Sequence, residues 1–274
     1  MIEALQFEFM RHALLAGLLA SLICGIMGTL VVVNRIVFLS GGIAHAAYGG
    51  IGLSLYMGWP HLPGTLGFSL ASAMVMAAVS LNTRHRADTI VGVIWALGMA
   101  FGIIMVDLTP GYNVDLMSYL FGSILTVPAA DLWIMLGIGL GLILLVTLYY
   151  QDLLALSYDE EFARLRGVPV TVLYFTLIGI LAIAIVMVIQ VVGLILVIAL
   201  LTIPPYIVER HAKSLLHMMA GSAVLGAVFT MGGLWLAYQW NLTSGAAIIM
   251  VAGGGFIISE LAQLSRRRHI HKLQ

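Results

Sequence analysis

Long uninterrupted apolar runs dominate this sequence and constrain its fold more than any other feature. Most are about 20 residues long, the length that an α-helix needs to cross the hydrocarbon core of a bilayer. Backbone groups find no other hydrogen-bond partner in hydrocarbon, so such runs adopt helices. The chain is therefore predicted to be an all-α, polytopic transmembrane helical bundle that forms a single domain over residues 1–274. The nine predicted spans are about 9–33, 38–57, 63–81, 89–107, 129–149, 168–189, 190–208, 214–240 and 243–264.

The composition excludes several other classes of protein. Hydrophobic residues make up 62% of the chain and charged residues only 9%, against roughly a quarter charged in a soluble domain. The excess apolar surface has to face lipid. The net charge is zero, so no nucleic-acid partner is indicated. Cys24 is the only cysteine, which excludes an internal disulfide or a multi-cysteine metal site.

The region 168–208 can be interpreted as one long unit or as two spans that meet at a tight corner between Gln190 and Gly193. Five basic clusters favour two spans, because they then all fall on one face of the membrane, whereas an eight-span chain divides them. The positive-inside rule makes that face cytoplasmic, with the N-terminus outside and the basic tail 265–274 inside. The clusters are Arg35, Arg84 with Arg86, Arg164 with Arg166, Arg210 with Lys213, and Arg266–Arg268.

Two polar segments do not fit a simple span. Residues 108–128 are predicted to form a loop and a short helix at, or dipping into, the outer surface. The loop 150–167 contains Ser157 followed three residues later by Glu160, the spacing of a capping box, and Gly167 at a C-cap position. A short helix over 158–166 follows. It is either an interfacial helix or a docking helix for a cytoplasmic partner.

His45 is an ionisable residue inside the second predicted span. Gly41, Gly49 and Gly52 fall on the same helical face, and small residues allow neighbouring helices to approach closely. An imidazole on that face points into the bundle, where ionisable residues are functional candidates. A structural histidine bonded to a neighbouring helix is the alternative.

Several catalytic motifs are missing. The two lysines, Lys213 and Lys272, do not follow a glycine-rich run, so the chain lacks the phosphate-binding loop of ATPases. Neither a zinc-protease H-E-x-x-H motif nor a G-x-S-x-G nucleophile elbow is present. An intramembrane enzyme is therefore disfavoured, and a transport subunit without enzymatic activity of its own is favoured.

Six stretches in the same order resemble the permease family of ABC importers for zinc, manganese and iron(II), over about residues 10–262. The most specific is YDEEFARLRGV at 158–168, which has Asp159, Glu160, Ala163 and Gly167 at the family spacing. The others are AHAAYGG at 44–50, Asp88 with GVIWALGMAFG at 92–102, DLMSYLFGSIL at 115–125, QVVGLILVIALLTIPP at 190–205 and GLWLAYQWNLTSGAA at 233–247.

The resemblance implies a channel built from two copies of the chain in the cytoplasmic membrane. It also implies a separate cytoplasmic ABC ATPase and an extracytoplasmic metal-binding protein. Residues 158–167 would be the coupling helix, with Asp159, Glu160, Ala163 and Gly167 coupling to the ATPase. His45 would be a transient ligand of the transported ion, beside pathway-lining Gly41, Gly49 and Gly52. No permanent cofactor is implied, because ATP binds the partner subunit.

The sequence departs from the family pattern at Gly41, where many members have an acid one helical turn before the histidine. Losing that carboxylate favours zinc slightly over manganese, since manganese prefers carboxylate ligands. The alternatives are a permease for metal chelates such as haem, siderophore or cobalamin, and an ion-coupled carrier without an ATPase. The missing mid-membrane acids argue against the carrier.

Overall fold

The computed structural model describes residues 6–82, 86–110, 122 and 124–271, with side chains as far as residue 265. The secondary structure in these ranges is helical, as predicted. A 3-10 turn, Ile124–Thr126, lies between α4 and α5. The helices are α1 (Glu8–Val33), α2 (Val37–Met57), α3 (His61–Asn82), α4 (Ala87–Asp107), α5 (Ala129–Leu148), α6 (Tyr150–Tyr158), α7 (Glu160–Leu165), α8 (Val170–Val192), α9 (Leu194–Glu209), α10 (Leu215–Trp240) and α11 (Ser244–His271).

Nine of these helices correspond to the nine predicted spans. Seven of them are long and apolar enough to cross a membrane, namely α1, α3, α4, α5, α8, α10 and the part of α11 up to Ser265. Helix α2 has 21 residues and is rich in glycine. Helix α9 has 16 residues. At 1.5 Å per residue it is about 24 Å long, shorter than the hydrocarbon core of about 30 Å.

The chain reverses direction between α8 and α9. Val170 at the start of α8 and Glu209 at the end of α9 line the same cavity, so the intervening chain travels away from that end of the bundle and returns. Gly193 forms the reversal with a φ of 87°, a backbone conformation that only glycine adopts readily. The region is thus two helices, and the break lies at the far end of the predicted corner that began at Gln190.

Among the seven helices that are long and apolar enough to cross a membrane, α1 and α8 are the most buried. One group of helices, α2, α3 and α4, packs together and contacts α8. A second group, α9, α10 and α11, packs against itself, and α9 and α10 also pack on α1. Buried hydroxyls join α1 to α10, for example Ser21 to Thr230 at 3.1 Å. Such interhelical hydrogen bonds stabilise helix contacts where the surrounding solvent is lipid.

Helices α2 and α4 cross at very close range because both carry small residues at the contact. A Cβ added to Gly52 would lie 2.8 Å from Cα of Gly102, and one added to Gly98 would lie 3.1 Å from Cα of Ala46. Gly98 and Gly102 have the GxxxG spacing that lets two helix backbones approach. The two helices start at the same end of the bundle. Residues equally far along them therefore lie at similar depth.

The described part of the segment 108–128 reaches into the bundle. Ile124 is 2% exposed, and its side chain approaches Gly17 of α1. His12 Nδ1 lies 3.2 Å from the carbonyl oxygen of Val127, which ties this segment to α1. Residues 111–121 and 123, which include most of the matching stretch at 115–125, lie outside the described residues.

Candidate transport path and docking surface

A polar cavity of about 870 Å³ opens at one end of the bundle. Four separate connections line it, and each carries or adjoins one of the predicted basic clusters. An ion pair between Arg210 and Glu260 holds the C-terminal part of α11 at the same end. The described residues of the first four clusters, or their direct neighbours, therefore lie at one end, and α11 continues from Glu260 toward the fifth. The charged residues that line the cavity are Arg35, Asp88, Glu160, Glu209 and Lys213.

Two short helices, α6 and α7, cover part of this end and differ in detail from the predicted helix 158–166. Helix α7 begins after Asp159, whose carboxylate accepts a hydrogen bond from the backbone N–H of Phe162 at 2.9 Å. The predicted capping role of Ser157 is therefore wrong. Ser157 belongs to α6, which was interpreted as part of a loop, and its Oγ accepts a hydrogen bond from Asn34 Nδ2 at 3.0 Å.

Gly167 ends α7 as predicted. Its φ of 80° lies in the left-handed region. Its N–H donates to the carbonyl of Arg164 at 3.0 Å, and the N–H of Val168 donates to the carbonyl of Ala163 at 3.1 Å. These two bonds form a Schellman motif. An Arg164–Glu160 ion pair at 2.7 Å spans one turn of the same helix.

The side chains of α7 divide sharply between buried and exposed. Ala163 is 0% exposed and belongs to the main hydrophobic cluster. Its side chain packs against its own chain, and the coupling role of Ala163 stays a prediction. Leu165 is 87% exposed, and Phe162 and Tyr158 are also exposed. The sequence analysis did not assign these three apolar side chains to docking, although large apolar residues on a polar, charged segment were the signal.

His45 has a defined orientation on α2. Its Nδ1 lies 2.8 Å from the carbonyl oxygen of Gly41. A carbonyl oxygen only accepts, so Nδ1 carries the hydrogen and Nε2 keeps a lone pair. The imidazole is half-buried, and its centroid lies 4.0 Å from the ring of Trp95 on α4. A neutral imidazole with a free Nε2 is a common metal ligand.

The glycines predicted to share a face with His45 have two different surroundings. A Cβ added to Gly41 would meet nothing within 4 Å. A Cβ added to Gly49 would lie 2.6 Å from the ring of Phe68, and Gly52 is pressed against Gly102. The glycine face of α2 therefore packs against neighbouring helices at Gly49 and Gly52, whereas it adjoins open space at Gly41.

Across the described residues, no group of three His, Cys, Asp or Glu side chains converges as a metal site would require. His45 is therefore not part of a three-residue metal site within the described part of this chain. One imidazole is a weak ligand compared with the four protein ligands of a structural zinc site. An arrangement of this kind suits an ion that passes through.

These helices and their basic end define a multi-pass membrane protein. Residues 6–263 match the model of the ABC 3 transport family. The chain belongs to this family, which confirms the resemblance seen in the sequence.

Known relatives agree with the family match over most of the chain. An uncharacterized membrane protein of Synechocystis sp. is 51% identical over 94% of this chain and 92% of its own length. The manganese transport system membrane protein MntC of Listeria monocytogenes is 31% identical over 94% of this chain and 91% of its own length. The structure of PsaBC from Streptococcus pneumoniae in complex with Fab superimposes with a TM-score of 0.85 at 30% identity, over 94% of this chain and 93% of that one.

Proposed function

We propose that this chain is the channel-forming permease subunit of an ATP-driven importer of divalent metal ions. The observation that carries the proposal is the family match over residues 6–263. The PsaBC structure supports it, because the fold agrees over 94% of the chain. The metal ion is the transported substrate, with no resident cofactor, and ATP binds the partner subunit.

Manganese is the first cargo to test. Several relatives at about 30% identity are named as manganese transport or import proteins, and none of those cited is named for zinc. The slight preference for zinc that follows from Gly41 has no support among them. Zinc and iron(II) remain the competitors in the assay, since imidazole binds all three ions.

The basic end of the bundle is proposed to face the cytoplasm and to receive the ATPase. Described residues of four basic clusters, or their direct neighbours, lie at this end, and the positive-inside rule favours a cytoplasmic position for such an end. The C-terminus is then cytoplasmic, and the chain lies in the cell's inner membrane. Asp159, Glu160 and Gly167 shape α7, and its exposed side chains contact the ATPase. The opposite end receives metal from an extracytoplasmic binding protein, and a second copy of the chain completes the channel.

The test is metal uptake in a bacterial strain that lacks its own manganese and zinc importers. The chain is expressed with a candidate ATPase and a candidate binding protein, and uptake of radioactive Mn²⁺ is measured against Zn²⁺ and Fe²⁺ as competitors. We expect saturable uptake that disappears when the ATPase carries an inactivating substitution.

Two outcomes would contradict the proposal. Uptake that persists with the inactive ATPase would indicate an ion-coupled carrier. Transport of haem, a siderophore or cobalamin, without transport of any free metal ion, would indicate a chelate permease.

A further inference from the structure

The contact between His45 and Trp95 joins two helices at the same depth in the bundle. Each residue lies eight positions after the first residue of its helix, Val37 for α2 and Ala87 for α4. The distance along either helix axis is about 12 Å. The ring centroids are 4.0 Å apart with an interplanar angle of 30°. The imidazole is therefore held on one side by Trp95 and through Nδ1 by the carbonyl of Gly41.

Trp95 is itself held in place. Its indole N–H donates to Sδ of Met99 at 3.3 Å, one turn further along α4. Phe38, in the first turn of α2, lies 5.9 Å from the indole centroid. The close approach of α2 and α4 through Gly52 and Gly102 keeps the two helices in fixed register. A rotation of the indole would break the contact with Met99.

We propose that Trp95 is a positioning residue for the transported metal ion. The indole face and the Gly41 carbonyl together leave His45 one orientation, in which Nε2 points to the ion and Nδ1 does not. Gly41 has no side chain, so no carboxylate one turn before His45 orients the imidazole. The indole of Trp95 orients it instead. This inference rests on the proposed function and adds a residue that orients its ligand.

The ring contact has a direct consequence for transport. A histidine that rotates freely has to be ordered each time an ion binds, which weakens binding. A histidine that is already oriented avoids this cost. Aromatic pairs are worth enough to change a binding constant about fivefold. Loss of the indole should therefore raise the KM for metal and leave the maximal rate per assembled complex unchanged.

The experiment compares Trp95→Leu with Trp95→Phe, in a complex reconstituted with its ATPase and assayed for Mn²⁺ uptake. Trp95→Leu should raise KM about fivefold, whereas Trp95→Phe keeps an aromatic face and should remain close to wild type. Trp133→Leu is the matched control, because Trp133 is 72% exposed on α5 and distant in sequence from the site. Uptake is normalised to the amount of assembled complex.

A double variant separates positioning from general packing. If Trp95 acts through His45, then Trp95→Leu should add nothing to the KM of His45→Gln. Met99→Leu conserves volume and removes only the sulfur acceptor of the indole N–H. It therefore tests the contact that holds Trp95 in place, even if Trp95→Leu fails to assemble. We expect it to raise KM by less than Trp95→Leu does.

The inference is overturned if Trp95→Leu has the wild-type KM, or if Trp95→Phe is as impaired as Trp95→Leu. It is also overturned if the Trp95→Leu effect persists undiminished in the His45→Gln background, or if Trp95→Leu fails to assemble while Met99→Leu keeps the wild-type KM. In each case a wild-type complex that imports Mn²⁺ leaves the proposed function intact. A wild-type complex that imports no metal ion contradicts the proposed function itself.

Discussion

Leu165 offers the sharpest test of the docking surface on α7. It is 87% exposed although it is a large apolar residue, and it sits on the last turn of a helix that a Schellman motif ends firmly. Burying a leucine side chain completely is worth about 1.5–3 kcal/mol. If the ATPase covers Leu165, then Leu165→Ala should cost about 1.5 kcal/mol of binding, which is roughly a tenfold weaker complex.

The assay is titration of the purified permease with its ATPase in detergent, with binding followed by a labelled subunit. The variant permease should be as stable as the wild type, because the side chain contributes little to the fold of its own chain. Leu97→Ala is the matched control, since Leu97 is 66% exposed on α4, within a membrane span. ATPase stimulation should fall in parallel with binding.

Wild-type affinity in Leu165→Ala would refute the docking assignment and support an interfacial helix whose leucine enters lipid. Ala163→Arg is a poorer test of the same surface. Ala163 is 0% exposed, so an arginine there should disrupt the permease before the ATPase is involved. Misfolding of that variant would carry no information about coupling.

Three further substitutions test the path and the packing. His45→Gln should assemble normally and lose most Mn²⁺ uptake, because the amide is a far weaker metal ligand. Gly41→Asp should fold, since open space adjoins Gly41, and should raise the ratio of Mn²⁺ to Zn²⁺ uptake. Gly52→Ala should destabilise the protein by about 1–3 kcal/mol, measured by thermal unfolding in detergent, because its Cβ would press on Gly102.

Each of these has a clear contrary result. Wild-type uptake by His45→Gln would show that the imidazole is structural. An unchanged ion preference in Gly41→Asp would mean that this position does not face the ion. Gly67→Ala is the control for the packing test, because a Cβ there meets nothing within 4 Å. Equal stability of Gly52→Ala and Gly67→Ala would contradict the close crossing of α2 and α4.

The positions of the spans could be predicted from the sequence because lipid imposes one simple requirement on them. The predicted span 38–57 and the helix Val37–Met57 agree within a residue. The short helix α6 at Tyr150–Tyr158 was missed. It has nine residues and lies outside the apolar runs, where no such requirement applies. Gly167 was predictable, since a C-terminal glycine acts within its own helix.

Contacts between helices were much less accessible. The spacing of Gly41, Gly49 and Gly52 identifies one face of α2, but it does not say which neighbour that face meets. The sequence likewise predicts the helix on which Ala163 lies, but it does not predict that the side chain is buried, because packing between elements decides that. Its neighbours come from other parts of the chain, and no local pattern contains them.

Trp95 shows the same limit at the candidate site itself. In the sequence it lies fifty positions from His45, within a stretch that matches the family as a whole. Only the parallel course of α2 and α4, and the glycines that bring them together, place the two rings 4.0 Å apart. A ligand can thus be recognised from its chemistry, whereas the residue that orients it is recognised from the crossing of two helices. We therefore expect the small residues at that crossing to influence metal binding through the orientation of His45.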